Sequence, residues 1–293
     1  MADLALLLLT LAWGTTFTLV KDVLEVASPA LFLTARFGVA AAVIGLVWLV
    51  RRDPSTPRLW RHGALLGLTM LAGFALQTLG LRSTTPARSG FITGLSVLLV
   101  PFIARFAMGR RVKAAFWGGA ALAVAGLAAL SFGEGVDPGV RAGDLLTLGC
   151  AAAYALQIVY TSEWAPHHPL PQFVLAQVAV TFAGAALALP LEGASLREEG
   201  LARFGGTVAY TGVVMTAGSF FVMNWAQRRV SAVRAALIFS LEPVSAALFS
   251  RFWGGEVLGP SMWIGGALIV LGVVAGEVGA ALEGRRPAPA GEV

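Results

Sequence analysis

The sequence predicts an all-α integral membrane protein, ten transmembrane helices arranged as two inverted five-helix repeats around a central cavity. Three observations carry this. Ten apolar runs, each near the roughly 20 residues a helix needs to cross the hydrocarbon, follow one another along 293 residues. The chain is 57% hydrophobic and 13% charged, with mean hydropathy +0.78, whereas a soluble domain carries about 25% charge. Finally, the second half repeats the first. Adding 146 carries Arg88, Arg105, Phe106 and Gly109 onto Arg234, Arg251, Phe252 and Gly255. The same offset carries Trp117, Gly119, Ala121, Leu122, Val124 and Gly126 onto Trp263, Gly265, Ala267, Leu268, Val270 and Gly272.

The runs are expected at 4–21, 29–50, 60–82, 86–108, 113–133, 143–164, 170–190, 204–227, 231–253 and 259–281. Polar breaks separate them. Lys21 ends the first run, and Arg51 to Arg61 divide the second from the third. Ser83-Thr84-Thr85-Pro86 makes a tight hairpin between the third and fourth, and Arg110-Arg111 with Lys113 precede the fifth. His167 and His168 fall in the loop after the sixth, with His62 in the loop before the third. Glu192, Glu198 and Glu199 mark the loop before the eighth, and Arg229-Val230-Ser231 makes a second hairpin before the ninth. None of these runs shows the alternating, roughly 10-residue pattern of membrane strands. In lipid the backbone must satisfy its own hydrogen bonds, so helices are required.

Placing the N-terminus inside puts eleven basic residues in inner breaks and five in outer ones. That balance predicts both termini in the cytoplasm of a multi-pass inner-membrane protein. Five spans per half is odd, so the second half enters the bilayer upside down. The outcome is an inverted repeat, the plan of a secondary transporter whose cargo sits between the halves. The repeats are expected at 1–133 and 143–281, joined by a turn-rich linker at 134–142 and followed by a disordered tail at 282–293. The single Cys150 excludes an intrachain disulfide and a cysteine metal cage, and is expected to be a small packing residue.

At this point the chain resembles the EamA-type, ten-span branch of the drug/metabolite transporter superfamily. The resemblance rests on Trp13-Gly14-Thr15-Thr16-Phe17, Pro29 with Ala35-Arg36-Phe37, Leu241-Glu242-Pro243-Val244, Gly255-Glu256 and the run from Trp263 to Gly272. The first repeat departs from it, with Ser96-Val97 in place of Glu242-Pro243 and Arg110-Arg111 following Gly109. The resemblance, with YddG-type amino-acid exporters the nearest in kind, implies outward movement of amino acids and related metabolites by alternating access. An organophosphate or nucleotide-sugar antiporter of the same superfamily is the alternative. A membrane-embedded enzyme or a channel is the alternative of another class, and no metal-ligand spacing, phosphate loop or Ser-His-Asp pattern supports the enzyme.

Candidate substrate-binding residues follow from helical spacing. Trp13, Thr16 and Phe17 share a face of span 1, with Tyr154 and Gln157 on span 6. An aromatic ring beside a hydroxyl or amide suits an amphipathic solute. Phe74, Gln77 and Thr78 share a face of span 3, as do Ser219 and Asn224 on span 8. Interhelical hydrogen bonding is the other role open to these polar groups. Arg36 lies deep in span 2, where a cation costs about 2.5–3.5 kcal/mol on insertion scales, while Arg88 and Arg234 sit three residues into spans 4 and 9 at opposite membrane faces. All three read as gating or coupling residues, with snorkelling to lipid phosphates the other role open to Arg88 and Arg234 and the one slightly favoured. Glu242 is the deep carboxylate, and Pro243 beside it is expected to kink the helix. Glu242 either carries a coupling proton or pairs with an arginine such as Arg36; pairing is the expectation. The partners implied are a small-molecule substrate and the bilayer, with no nucleic acid, no cofactor and no metal, in a monomer.

Overall fold

A computed structural model describes residues 1–51, 53–84, 86–131, 142–253 and 259–283. The linker at 134–142, apart from Ala142, the tail beyond Glu283 and the Gly255-Glu256 motif lie outside the described residues, as does the Arg88 side chain. Span 1 runs Ala2–Val23, span 2 Pro29–Arg51, span 3 Pro57–Leu81, span 5 Ala114–Ser131, span 6 Ala142–Trp164, span 7 Leu170–Glu192 and span 10 Pro260–Glu283. Span 4 comprises Pro86–Gly94 and Ser96–Phe106, and span 9 comprises Ala232–Phe239 and Glu242–Trp253. Span 8 comprises Leu201–Ala209, Tyr210–Gly218 and Ser219–Gln227. All ten begin and end within about three residues of the expected runs, inside the usual boundary error. Among the described residues span 5 is the shortest, and it lies along span 10.

The inversion is visible at that last pair. A Cβ on Gly119 would stand 2.6 Å from the Gly272 carbonyl, and one on Gly126 would stand 2.5 Å from the Gly265 carbonyl. Exchanging each residue for its repeat partner, 119 with 265 and 126 with 272, turns the first contact into the second. The rising first number meets a falling second number, so the helices are antiparallel. Such a reciprocal contact is what a twofold axis across the pair generates. Only glycine lets two backbones come this close, and dispersion between them is what holds helices together where lipid is as apolar as side chains.

Three spans are broken at mid-membrane. Span 1 breaks at Gly14-Thr15, span 4 at Leu95 and span 9 at Ser240-Leu241. Leu95 and Leu241 are repeat partners. The break in span 9 is therefore not the work of Pro243 alone, because span 4 breaks at the same register without a proline there. Pro243 instead occupies the first turn of Glu242–Trp253, where its missing N–H costs nothing. At Gly14 a Cβ would meet the Ala246 nitrogen at 2.6 Å, and Ser245 Oγ donates to the Leu11 carbonyl at 2.5 Å. Span 9 thus fills the gap opened by the break in span 1.

Ten crossings leave both termini on one face, called here the terminal face. On that face Gln227 Nε2 donates to the Ile158 carbonyl at 3.0 Å, and Arg228 donates to the carbonyls of Ala165 and His168. Arg234 pairs with Asp3 at 3.1 Å and Glu277 at 2.6 Å. On the far face Thr84 Oγ1 donates to Asp144 Oδ1 at 2.6 Å, and Lys21 Nζ donates to the carbonyls of Leu81 and Thr84. Asp3 and Asp144 open the first helices of their repeats. Each holds the hairpin of the opposite repeat, so the two faces are strapped by equivalent parts.

His62 lies inside span 3 rather than in a loop, and its Nδ1 meets His168 Nε2 at 2.9 Å. One ring must donate and the other accept, so the pair cannot hold two charges. Burial, reinforced by the neighbouring His62, Arg58, His167 and Arg228, pushes the His168 imidazole down to about 4. The unfolded chain protonates this ring near its ordinary value of about 6.5. Between those values the folded state binds fewer protons, so stability is lost as pH falls through that window. The melting temperature should drop between pH 7 and pH 4.5, and His168→Gln should drop less. Equal drops in both proteins would remove His168 from the account.

Candidate functional site

A cavity lies where the broken helices meet. The first repeat contributes Trp13, Thr16, Phe17, Val20, Arg36, Phe74, Gln77, Thr78, Leu81, Thr93, Gly94 and Ser96. The second contributes Tyr154, Gln157, Ile158, Phe220, Met223, Phe239 and Glu242. Val20 and Leu81 stand at the far ends of spans 1 and 3, so the cavity reaches from mid-membrane toward the far face. A second hollow, bordered by Arg110, Arg111, Lys113 and Glu163, opens among helix ends on the terminal face, where Arg110 pairs with Glu163 at 2.6 Å.

Aromatic rings from both repeats build the wall. Phe74 stands edge-on to Tyr154 at 5.6 Å and to Phe37 at 5.0 Å, and lies tilted to Phe220 at 6.1 Å. Trp13 lies 5.3 Å from Phe239 and 6.4 Å from Phe220. Gly73 makes this possible, because a Cβ there would stand 2.2 Å from the Tyr154 ring.

Arg36 is 4% exposed in span 2. Its Nε donates to Thr216 Oγ1 at 2.8 Å and its Nη2 reaches the Met215 carbonyl at 3.4 Å. The guanidinium carbon sits 4.6 Å from the Phe74 ring centre, a cation–π arrangement. Both hydrogen-bond partners belong to Tyr210–Gly218, a π-helical stretch. Thr216 Oγ1 and Ser219 Oγ bond carbonyls five residues back, Thr211 at 2.8 Å and Val214 at 3.1 Å. Such wide turns are rare and often found at functional sites. Gly212 brings this stretch against span 2, since a Cβ there would meet the Arg36 carbonyl at 2.9 Å.

Glu242 opens the second half of span 9 and faces the cavity, where the helix N-terminus offers its carboxylate a favourable field. Its repeat partner Ser96 opens the second half of span 4 and lines the same space. The expected pairing of Glu242 with Arg36 is not formed. Arg36 spends its bonds on span 8, and among the described residues Glu242 makes no ion pair.

Several candidates lie elsewhere. Asn224 is fully buried between helices, donating to the Phe220 carbonyl at 2.8 Å and accepting from Gln177 at 3.0 Å. Ser219 bonds its own helix. Both are removed from the cavity by these packing bonds. Gln157 borders the cavity, yet its amide is engaged by Thr69 at 2.6 Å and Gln177 at 3.0 Å. Gln77 donates to Thr93 Oγ1 at 3.1 Å. Arg234 is occupied by Asp3 and Glu277 on the terminal face, away from the cavity. Sequence reading missed Ser96, Thr93, Phe239 and the wide turn. The offset of 146 from Glu242 could have found Ser96; nothing in the residues 210–218 besides Gly212 and Gly218 announces a π-helix.

The EamA-like transporter family model matches twice, over residues 1–132 and 141–275. The chain belongs to the EamA-like transporter family. It is therefore a multi-pass membrane transporter of the drug/metabolite superfamily. A relative described as an uncharacterized transporter of Archaeoglobus fulgidus is 31% identical over 280 residues, covering 93% of this chain and 84% of its own. The uncharacterized inner membrane transporter YedA of Escherichia coli K12 is 27% identical over 290 residues, 97% of this chain and 92% of YedA. The uncharacterized transporter YwfM of Bacillus subtilis is 27% identical over 281 residues, 93% of this chain and 92% of YwfM. A solved crystal structure shares 22% identity and superposes with a TM-score of 0.79, covering 96% of this chain and 98% of that chain, which shows the fold. For this EamA-family chain the family thus fixes transport as the activity and leaves the cargo to the cavity.

Proposed function

We propose that this carrier exports neutral amino acids, aromatic ones among them, and related small metabolites across the inner membrane by alternating access, with both termini cytoplasmic. The observation that supports it best is the cavity itself. It lies between two inverted repeats, takes walls from both, and combines aromatic rings with a few placed polar groups, the usual composition of a small-molecule site. The hairpins of spans 3–4 and 8–9 are the moving parts in this reading, since each is strapped to the first helix of the other repeat. Releasing the strap on one face at a time exposes the same cavity to each side in turn. An organophosphate antiporter is a poorer fit, because a phosphate would meet the Glu242 carboxylate as well as Arg36.

Counterflow decides the matter. Liposomes holding the purified protein and unlabelled leucine, phenylalanine or methionine should accumulate the labelled compound transiently without an imposed ion gradient. Absence of flux for every amino acid, together with exchange of a phosphorylated sugar, would transfer the cavity to the antiporter reading.

A further inference from the structure

Two opposite charges border one membrane cavity without meeting. Burying a lone charge is costly unless a partner or hydrogen bonds compensate it. Arg36 has five N–H donors, and its bonds in the structure come from Nε and Nη2 alone. It has no anionic partner among the described residues. Glu242 likewise has no cationic partner among them. On the terminal face, by contrast, Arg234 meets both Asp3 and Glu277. In the cavity complementary charges are kept apart, with the rings of Trp13, Phe74, Phe220 and Phe239 beside them.

We infer that the cavity recognises its cargo as a zwitterion, the carboxylate taken by the spare donors of Arg36 and the ammonium group by Glu242, with an apolar side chain against the rings. This rests on the amino-acid reading above and adds to it which residue holds which end. A guanidinium fork matches a carboxylate in plane and can bond it twice. An amine lacking the carboxylate leaves Arg36 uncompensated, and an N-acylated acid leaves Glu242 uncompensated. Either mismatch strands a buried charge, which a cavity walled by rings punishes more than water would. Arg36 also holds Thr216 in the wide turn of span 8. A carboxylate drawing on the same guanidinium therefore reports cargo binding to that turn.

The test uses the full chain in liposomes with labelled phenylalanine. Unlabelled phenylalanine, phenethylamine, phenylalanine methyl ester and N-acetylphenylalanine serve as competitors. Wild-type protein should prefer phenylalanine over each of the other three by at least about tenfold, the order expected for a lost charge-assisted hydrogen bond. Arg36→Gln should lose the preference for phenylalanine over phenethylamine while keeping the preference over N-acetylphenylalanine. Glu242→Gln should show the opposite pattern. Melting-temperature shifts on adding each compound give a second readout that needs no flux, and Arg36→Lys, which keeps the charge, should recover part of the discrimination if Arg36→Gln does not fold. Phenylalanine flux with equal competition by the amine and the N-acetyl acid overturns the assignment of ends and leaves the exporter reading standing. Failure of every amino acid to move or to shift the melting temperature overturns both.

Discussion

Gly119→Val is expected to lower the melting temperature by about 5–10 °C, while Gly118→Val beside it changes it by roughly 1 °C or less. The contrast comes from the antiparallel seam between spans 5 and 10. A Cβ on Gly119 would stand 2.6 Å from the Gly272 carbonyl and 3.1 Å from the Gly276 Cα, whereas one on Gly118 meets nothing within 4 Å. The obstacle is backbone, which has no rotamer to yield, so the helices themselves must separate. Separation also undoes the reciprocal contact at Gly126 and Gly265, because the two touch through one pair of rigid helices. Overpacking of this kind costs about 1–3 kcal/mol, and in a chain this long about 1 kcal/mol is worth roughly 2–4 °C. Fluorescence-monitored unfolding of the two purified variants checks it. Equal melting temperatures would mean that spans 5 and 10 do not touch along this face.

Joining Thr84→Cys to Asp144→Cys by oxidation should reduce counterflow to less than about a tenth, and reduction should restore it. The two side-chain oxygens lie 2.6 Å apart, near enough for a bond whose Cβ atoms are about 3.8 Å apart. Gly80 and Gly143 bring the same two backbones together, a Cβ on Gly143 standing 2.4 Å from the Gly80 carbonyl. The bond would fix the hairpin of spans 3–4 to the start of span 6 on the far face. If cargo leaves through that face when the hairpin swings, a covalent strap stops it. The native Cys150 is fully buried and can stay in place. Undiminished flux in the oxidised protein would show that this hairpin does not move during transport.

The architecture was almost wholly legible, for a physical reason. Lipid demands long apolar helices and forbids exposed backbone, so composition alone locates spans. The repeat then supplies their direction. The cavity was legible in part. Trp13, Thr16, Phe17, Phe74, Thr78 and Tyr154 were found because aromatic and hydroxyl residues recur at helical spacing, and the structure brings them to one space. Asn224 and Ser219 share that spacing but turn to carbonyls of their own span, because helix rotation and the wide turn of span 8 decide which side they face. The partner of Arg36 was misjudged because charge complementarity across sequence says nothing of distance. Its hydrogen bonds go to an unremarkable threonine in a stretch whose hydrogen-bond period no residue pattern reveals.

The glycine seam has one more implication. Swapping the roles of the two repeats leaves its contacts unchanged, so the pivot stores no preference between the inward and outward arrangements. Any directional bias must reside where the copies differ. Two such places are the wide turn of span 8, which grips Arg36, and the mid-membrane position that is serine in span 4 and glutamate in span 9. A vectorial pump could evolve from this frame by altering those two sites alone, with its axle left untouched.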